Sequence, residues 1–492
     1  MSPLNPAGPS WRPHFHLTAP EGWINDPNGL VRVGGVWHLH YQYQTPRCWG
    51  HATSADLFHW QHLPVALTPD ENGECWSGCT VEDLQNSSGL FAAGTGGLVS
   101  IYTSRDELRG QRISLAFSAD GGVTWRNCPH NPILRGPTDS FRDPKVFWHE
   151  GQRAWIMVLT ESSHFTFFAS ANLRDWRETG RFTPQPAPDI DCYDCPDLFI
   201  LPVEGLLGHT RWILTASYVN GTNFDGKLGF GPCAQRYWIG DFDGAVFHAE
   251  AGVSPLLPLG AGPDDYAAIV WPRETDDARR TIMIGWMNHW GYAQQIPTQH
   301  WQGCLTLPRE LRLRATAAGA WQLRQTPACE IWALPHTQTK LPPQTLTADD
   351  APLALGRLRC GAIRMVLRPA TDTIFTIEVF ASEHANTCVT CDMARQVISF
   401  DRRESGSPDF HPSFLLRQEA PLALADGGTL DLTVIIDNST VEVFAGDGAV
   451  YLSGLVFPDP AADKVRLLVT YGSTVIERLE LREIRPAPPT IS

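Results

Sequence analysis

The sequence predicts an all-β protein, a five-bladed β-propeller followed by a β-sandwich. Short runs rich in β-branched and aromatic residues occur along the whole chain, and long amphipathic helical patterns are nearly absent. A motif also recurs through the first two-thirds: a strand leads to Ser-x-Asp or Ser-x-Asn, then a turn, then a tryptophan opening the next strand. Its copies are Ser54-Ala55-Asp56 to Trp60, Ser118-Ala119-Asp120 to Trp125, and Ser170-Ala171-Asn172 to Trp176. The tryptophans lie 65 and 51 residues apart, a spacing that suits four-stranded propeller blades.

In chain order, Val36-Trp37-His38-Leu39-His40-Tyr41 is an early strand, Ala154-Trp155-Ile156-Met157-Val158-Leu159 a central one, and Thr281-Ile282-Met283-Ile284-Gly285-Trp286 a late one. About 310 residues at about 60 per blade give five blades. The stretch 325–343, rich in Pro, Thr and Gln, breaks the pattern. Short alternating strands then resume in Ile374-Phe375-Thr376-Ile377-Glu378-Val379-Phe380, Thr433-Val434-Ile435-Ile436-Asp437 and Val465-Arg466-Leu467-Leu468-Val469. Their turn signals and spacing fit a sandwich. A chain of 492 residues is too long for one compact core, so two domains are expected.

Composition narrows the partners. Charged residues are only 18%, and 38 basic against 53 acidic side chains leave a formal charge of −15, which disfavours nucleic acid and anionic membranes. It also disfavours a strongly phosphorylated substrate, since no local basic pocket is visible. No stretch approaches the roughly 18 apolar residues a spanning helix needs. Met1-Ser2-Pro3-Leu4-Asn5-Pro6 has neither a basic nor an apolar region of the signal-peptide kind. Twelve cysteines in so long a chain are not a disulfide scaffold, and buried free thiols are expected. Cys388 and Cys391 form a C-x-x-C in a strand-like run without a second metal-spaced pair. A cytoplasmic location is the expectation. His14-x-His16 and His38-x-His40 each put two rings on one strand face, but no third metal ligand is evident.

Three acidic segments stand out: Trp23-Ile24-Asn25-Asp26-Pro27-Asn28-Gly29, Phe141-Arg142-Asp143-Pro144 and Tyr193-Asp194-Cys195-Pro196-Asp197. Each reads as a turn stiffened by proline. Together they suit glycosidic-bond cleavage, which needs two carboxyl groups across the bond and a third group fixing the ring. In order and spacing the segments resemble glycoside hydrolase family 32, the invertases, exo-inulinases and levanases that cleave β-fructofuranosides. Tyr41-Gln42-Tyr43, Trp49-Gly50-His51-Ala52, Trp76-Ser77-Gly78, Gly285-Trp286-Met287, Leu307-Pro308-Arg309-Glu310-Leu311 and Val441-Glu442-Val443-Phe444 also match. The resemblance runs from about Arg12 to about Phe457.

That resemblance implies a five-bladed propeller over residues 1–335, a sandwich over 336–492, and no cofactor or metal. It implies a retaining hydrolase that releases fructose from the non-reducing end of sucrose, fructo-oligosaccharides, inulin or levan fragments. Asp26 would be the nucleophile, Asp143 the transition-state stabiliser and Asp194 the acid/base. Asn25, beside the nucleophile, would donate to it. Gln42, Trp76 and Ser77 would line the fructose pocket, Arg142 would stand beside Asp143, and Trp286, with Trp290, would wall it. A fructosyltransferase and a silent carbohydrate-binding propeller are the alternatives, separable by the products formed from sucrose.

Two departures from the family's pattern matter. The family has Glu where this chain has Asp194, which retracts the carboxyl by about 1.5 Å; Asp191 is the nearest substitute. After Tyr43, Gln44-Thr45-Pro46-Arg47-Cys48 leads straight to Trp49, so a loop and its tryptophan are missing. Trp49 is the candidate to fill that gap, the alternative being that it packs the blade.

Overall fold

The computed structural model describes residues 11–185, 192–219, 233–250, 257–273, 279–316, 319–406, 410–424 and 428–485. Strands up to Pro327 form five sheets and those from His336 onward form two, a propeller and a sandwich. Among the described residues the only helices are short 3-10 turns such as Ala293–Gln295 and Pro412–Phe414.

Each propeller sheet starts with a strand at the axis: Gly22–Val33, Glu74–Asp83, Phe141–His149, Cys192–Pro202 and Tyr266–Val270. The next strands pair antiparallel outward, and Trp301–Gln302 pairs in parallel with Gly22–Trp23, tying the end of the propeller to its beginning. Apolar faces of neighbouring blades bury each other. Val99, Ile101 and Leu115 of the second blade, for example, share a core with Val146, Met157 and Leu159 of the third.

The recurring Ser-x-Asp motif has a physical role. It sits at the turn between the third and fourth strands of a blade, where one side-chain oxygen caps several orphan donors. Asp56 Oδ1 accepts from Ser54 Oγ and from the Phe58 and His59 amides; Asp120 does the same for Ser118, Val123 and Thr124, and Asn172 for Ser170, Arg174 and Asp175.

The sandwich packs a sheet containing Cys360–Pro369, Leu430–Asp437 and Ser473–Ile484 against one containing Ile374–Ala381 and Lys464–Tyr471. Alternating residues such as Ile363, Val434, Ile377 and Leu467 fill the space between. Cys388 and Cys391 lie on one strand with opposite exposure, and all twelve thiols are unpaired.

Candidate active site

The acidic segments are not turns between elements. They are irregularities inside the axial strands. Regular pairing breaks between Ile24 and Pro27, Cys75 and Gly78, Arg142 and Lys145, Asp194 and Asp197, and Tyr266 and Ile269. All five axial strands are therefore bulged at their functional residues. A bulge sets two residues against one partner and re-aims their side chains. Pro27, Pro144 and Pro196 fit there because the ladder bond that proline cannot make is already lost. Asp143 and Cys195 adopt left-handed backbone at φ 59° and 47°, a conformation that costs energy in a non-glycine residue.

The five bulges surround one cavity of about 660 Å³. Asp26, Asp143 and Asp194 all line it, as do Asn25, Gln42 and Ser77; Trp76 and Arg142 line it as well. The three carboxyls are almost completely buried. Cys195 sits between two of them: its amide donates to Asp143 Oδ2 at 2.9 Å, and its thiol points at Asp26 Oδ2 at 3.4 Å and Asp143 Oδ2 at 3.7 Å. Burial and the three nearby carboxylates hold that thiol well above its usual range, so it remains a donor.

Asp26 accepts from Ser77 Oγ at 2.6 Å and from Asn25 Nδ2 at 2.9 Å. Burial pushes its carboxyl upward, the two hydrogen bonds and the Arg47 charge pull it down, and Asp194 pushes it up again; the net direction is upward. Asp143 is likewise raised, by burial first and then by Asp194 and Asp26, against the pull of Arg142. Arg142 forks onto Asp194 Oδ1 through Nε at 2.7 Å and Nη2 at 2.5 Å, while Tyr266 donates to Asp194 Oδ2 at 2.6 Å. Both oxygens of the shorter side chain are thus engaged. Asp191 lies outside the described residues.

Two tryptophans named for the site do not line it: for Trp49 the blade-packing alternative holds, and Trp286 does not form the wall. Trp49 is fully buried; its indole donates to the Trp76 carbonyl at 2.9 Å and its ring packs on His40 and Tyr102. It packs the blade and does not line the cavity. Trp286 is also fully buried, behind Trp23 and Trp290, and it is Trp290 that reaches the cavity. Trp49 lies on the third strand of its blade and Trp286 on the second of its own, each between neighbouring strands and fully buried, so no face is left for a sugar.

The gap left by the shortened loop is taken by Arg47. Its Nη1 donates to Asn25 Oδ1 at 2.7 Å and Gln42 Oε1 at 3.0 Å. Occupying both carbonyl oxygens turns both amide nitrogens toward the nucleophile. Asn25 then donates to Asp26 directly, and Gln42 donates through Ser77 at 2.5 Å. The guanidinium also lies over the Trp76 ring, with Arg105 nearer at 4.9 Å. Arg47 stands in the departing loop, where the family pattern gives no guide, and Tyr266 follows Asp264-Asp265, an acidic pair that could have marked the fifth blade.

One acidic residue of the motifs does not face the cavity. Asp197 is fully buried and accepts from Lys145 Nζ at 2.9 Å and from the Val270 amide at 2.7 Å, while Lys145 also donates to the Val270 carbonyl. This pair joins the axial strands of three blades. Among the described residues no group of His, Cys, Asp or Glu is arranged to hold a metal ion. His16 is instead paired with Asp437 and Glu442, and His38 with His51.

An axial funnel with three carboxyls, each carried by a bulged strand, matches known proteins along nearly the whole chain. The profile of the glycosyl hydrolases family 32 N-terminal domain matches residues 16–327, and that of the family 32 C-terminal domain matches 329–483. The chain belongs to glycoside hydrolase family 32. It is 34% identical to a levanase of Bacillus subtilis over 96% of this chain and 70% of that one. With an extracellular exo-inulinase of Aspergillus ficuum it shares 32% over 96% and 94% of the two chains. The crystal structure of exo-inulinase from Aspergillus awamori superposes with a TM-score of 0.87 at 29% identity, covering 98% of this chain and all of that one. As a family 32 member the chain is a glycoside hydrolase of all-β fold.

Proposed function

We propose that this hydrolase is a retaining β-fructofuranosidase that releases fructose from the non-reducing end of sucrose, fructo-oligosaccharides, inulin or levan fragments. The observation that carries the reading is the convergence of Asp26, Asp143 and Asp194 in one buried cavity. The levanase, exo-inulinase and invertase relatives support the substrate class. A neighbour with a TM-score of 0.85 at 27% identity, a β-fructofuranosidase from Schwanniomyces occidentalis, was crystallised with fructosyl-erythritol.

In this reading Asp26 attacks the anomeric carbon of fructose from one side. The proton for the departing oxygen comes from Asp194 Oδ2, because Oδ1 is held twice by Arg142, and the Tyr266 hydroxyl, which donates to Oδ2, stabilises the carboxylate left behind. Asp143, its carboxyl pushed upward by burial and then by Asp194 and Asp26, hydrogen-bonds to ring hydroxyls as positive charge develops. Water deprotonated by Asp194 then attacks the fructosyl-enzyme on the face the leaving group left, so configuration is retained. Twelve unpaired thiols, most of them buried, favour a reducing compartment, which cell fractionation would test. Incubation with sucrose should give free fructose and glucose, and Asp26→Ala should lower kcat by several orders of magnitude while the protein stays folded. Near-normal turnover in that variant would overturn the assignment, as would longer oligosaccharides as the main wild-type product.

A further inference from the structure

The three cavity carboxyls are not held alike. Arg142 reaches Asp194 at 2.5 Å and Asp143 at 3.7 Å, so those two sit against a cation. Among the described residues the donors to the Asp26 carboxyl are neutral: Ser77, Asn25 and the Cys195 thiol. Yet Asp26 is the group that must be ionised to attack, and its burial works against the charge.

The shortened hairpin supplies a cation. Tyr43 pairs with Cys48, so four residues connect the strands Val36–Tyr43 and Cys48–Ser54, and Arg47 is the last of them. Its backbone is tied to the second blade: the Arg47 amide donates to Glu74 Oε1 at 3.2 Å, and its carbonyl accepts from the Cys75 amide at 3.0 Å. Glu74 is itself fixed, its Oε2 accepting from the Trp76 indole at 2.8 Å. Anchored in this way, Arg47 lines the cavity and starts two relays. One runs from its Nη1 to Asn25 Oδ1 at 2.7 Å, and from Asn25 Nδ2 to Asp26 Oδ1 at 2.9 Å. The other runs from Nη1 to Gln42 Oε1 at 3.0 Å, from Gln42 Nε2 to Ser77 Oγ at 2.5 Å, and from Ser77 to Asp26 Oδ2 at 2.6 Å. Each carboxyl oxygen ends one relay. A cation on an amide oxygen polarises the amide and makes its N–H a stronger donor at the far end.

We infer that Arg47 is the positioning residue of the nucleophile, holding Asp26 ionised through both relays and so extending the enzyme's working range toward acid. The inference rests on the fructosidase reading above, in which Asp26 attacks. The charge also acts directly: burial raises the Asp26 carboxyl, Ser77 and Asn25 lower it, and the field of Arg47 lowers it further against Asp194. The other titratable or charged groups on this floor are Asp143 and Arg142 from the third blade, Asp194 and Cys195 from the fourth, and Tyr266 from the fifth. Glu74 and Arg105 of the second blade and His411 of the sandwich complete the cavity's set. All of them stay in place when position 47 alone is changed.

The test is the pH dependence of kcat/KM for sucrose, measured on the full chain. Its acid limb follows ionisation of the free enzyme's carboxyls, with an apparent value that belongs to the coupled set. Arg47→Met keeps a long side chain and removes both the charge and the donors. Its acid limb should move up by about one pH unit, a further tenfold loss at low pH beyond that on the plateau. Arg47→Lys keeps the charge but loses the fork. It should hold the acid limb within about half a unit while the plateau falls about threefold. Arg47→Ala opens a space in the cavity wall that guanidinium ion can fill. Millimolar guanidinium chloride should return part of the lost activity, and sodium chloride at the same concentration should not. An Arg47→Met acid limb that overlays the wild type, or guanidinium doing no more than sodium chloride, would overturn the inference while leaving the function standing. Wild-type protein releasing fructose from neither sucrose nor an inulin fragment would instead sink the fructosidase reading, and this role of Arg47 with it.

Discussion

At the scale of single residues the site is decided by what each carboxyl oxygen touches. Asp194 replaces the family's glutamate, and its shorter side chain is held at both oxygens: Arg142 grips one and Tyr266 the other. Restoring the longer residue would drive its carboxyl about 1.5 Å further, one C–C bond, into Tyr266 or out over the floor. Asp194→Glu should therefore lower kcat on sucrose by roughly tenfold, about 1.4 kcal/mol in the barrier. A rise in kcat would show that the cavity still fits glutamate. Asp194→Asn separates the two steps. It should cripple sucrose cleavage, whose leaving group needs a proton, yet spare the first step on an aryl fructoside with a good leaving group. Azide should then speed the second step and give a fructosyl azide of retained configuration. Normal sucrose turnover by Asp194→Asn would move the acid elsewhere, with Asp191 the first place to look.

At the scale of elements the axial strands carry the architecture of the site, and here the limits of sequence reading are physical. The Ser-x-Asp turns made three blades visible because a side-chain cap leaves a fixed spacing. The fourth blade uses Asp243 in the same role, capping the Ala245 and Val246 amides, without the preceding serine that would have marked it. Short motifs also pointed to the cavity carboxyls. The motif match pointed to Asp194, but strand alternation by itself does not show that Asp197 turns away from the cavity, since a bulge between the two shifts the alternation that sequence period relies on. Sequence leaves Trp49 open between pocket and blade and puts Trp286 at the wall for a related reason: strand pattern gives a face but not its depth beneath the next layer. Arg47, Tyr266 and His411 reach the cavity from a shortened hairpin, the fifth blade and the second domain, and only the closed propeller brings them together. Asp197 gives the test at this scale. Asp197→Ala strands a buried lysine ammonium between three blades, which should cost about 3–5 kcal/mol. Asp197→Asn, which keeps an acceptor, should cost less. Urea unfolding of both would show it, and a midpoint unmoved in the alanine variant would mean the pair does not staple the blades.

At the scale of the whole molecule the two domains are locked by buried charge, and this sets a pH window for stability. His16, on the segment entering the first blade, sits with no solvent exposure between Asp437 at 2.9 Å and Glu442 at 3.0 Å of the sandwich. Asp437 also accepts the amides of His14 and Phe15, and Glu442 accepts that of Leu307. Burial alone would discharge His16, but the hydrogen bonds and fields of the two carboxylates outweigh it and hold the imidazole at about 9. In the first blade the opposite holds: His40, stacked on His51 at 4.1 Å, is pushed down to about 3 by burial, and His51 is lowered for the same reason. The signs follow from proton counting. Below about 6.5 the unfolded chain gains protons that His40 and His51 refuse, so stability falls toward acid. Between about 6.5 and 9 the folded state holds a proton on His16 that the unfolded chain releases. The contribution of His16 is thus complete below about 6.5 and lost as pH rises through 9. Its size is roughly 3 kcal/mol, from about 1.4 kcal/mol per pH unit. Buried cysteines also weaken the fold in alkali, their thiols being raised by burial, so the informative quantity is a difference. His16→Gln should be less stable than the wild type at pH 6.5, and the gap should narrow by most of that amount by pH 10. Chemical denaturation at the two pH values, with the sandwich and propeller transitions followed separately, measures it. A gap that stays constant with pH would mean that His16 holds the domains together as a neutral hydrogen-bonding group.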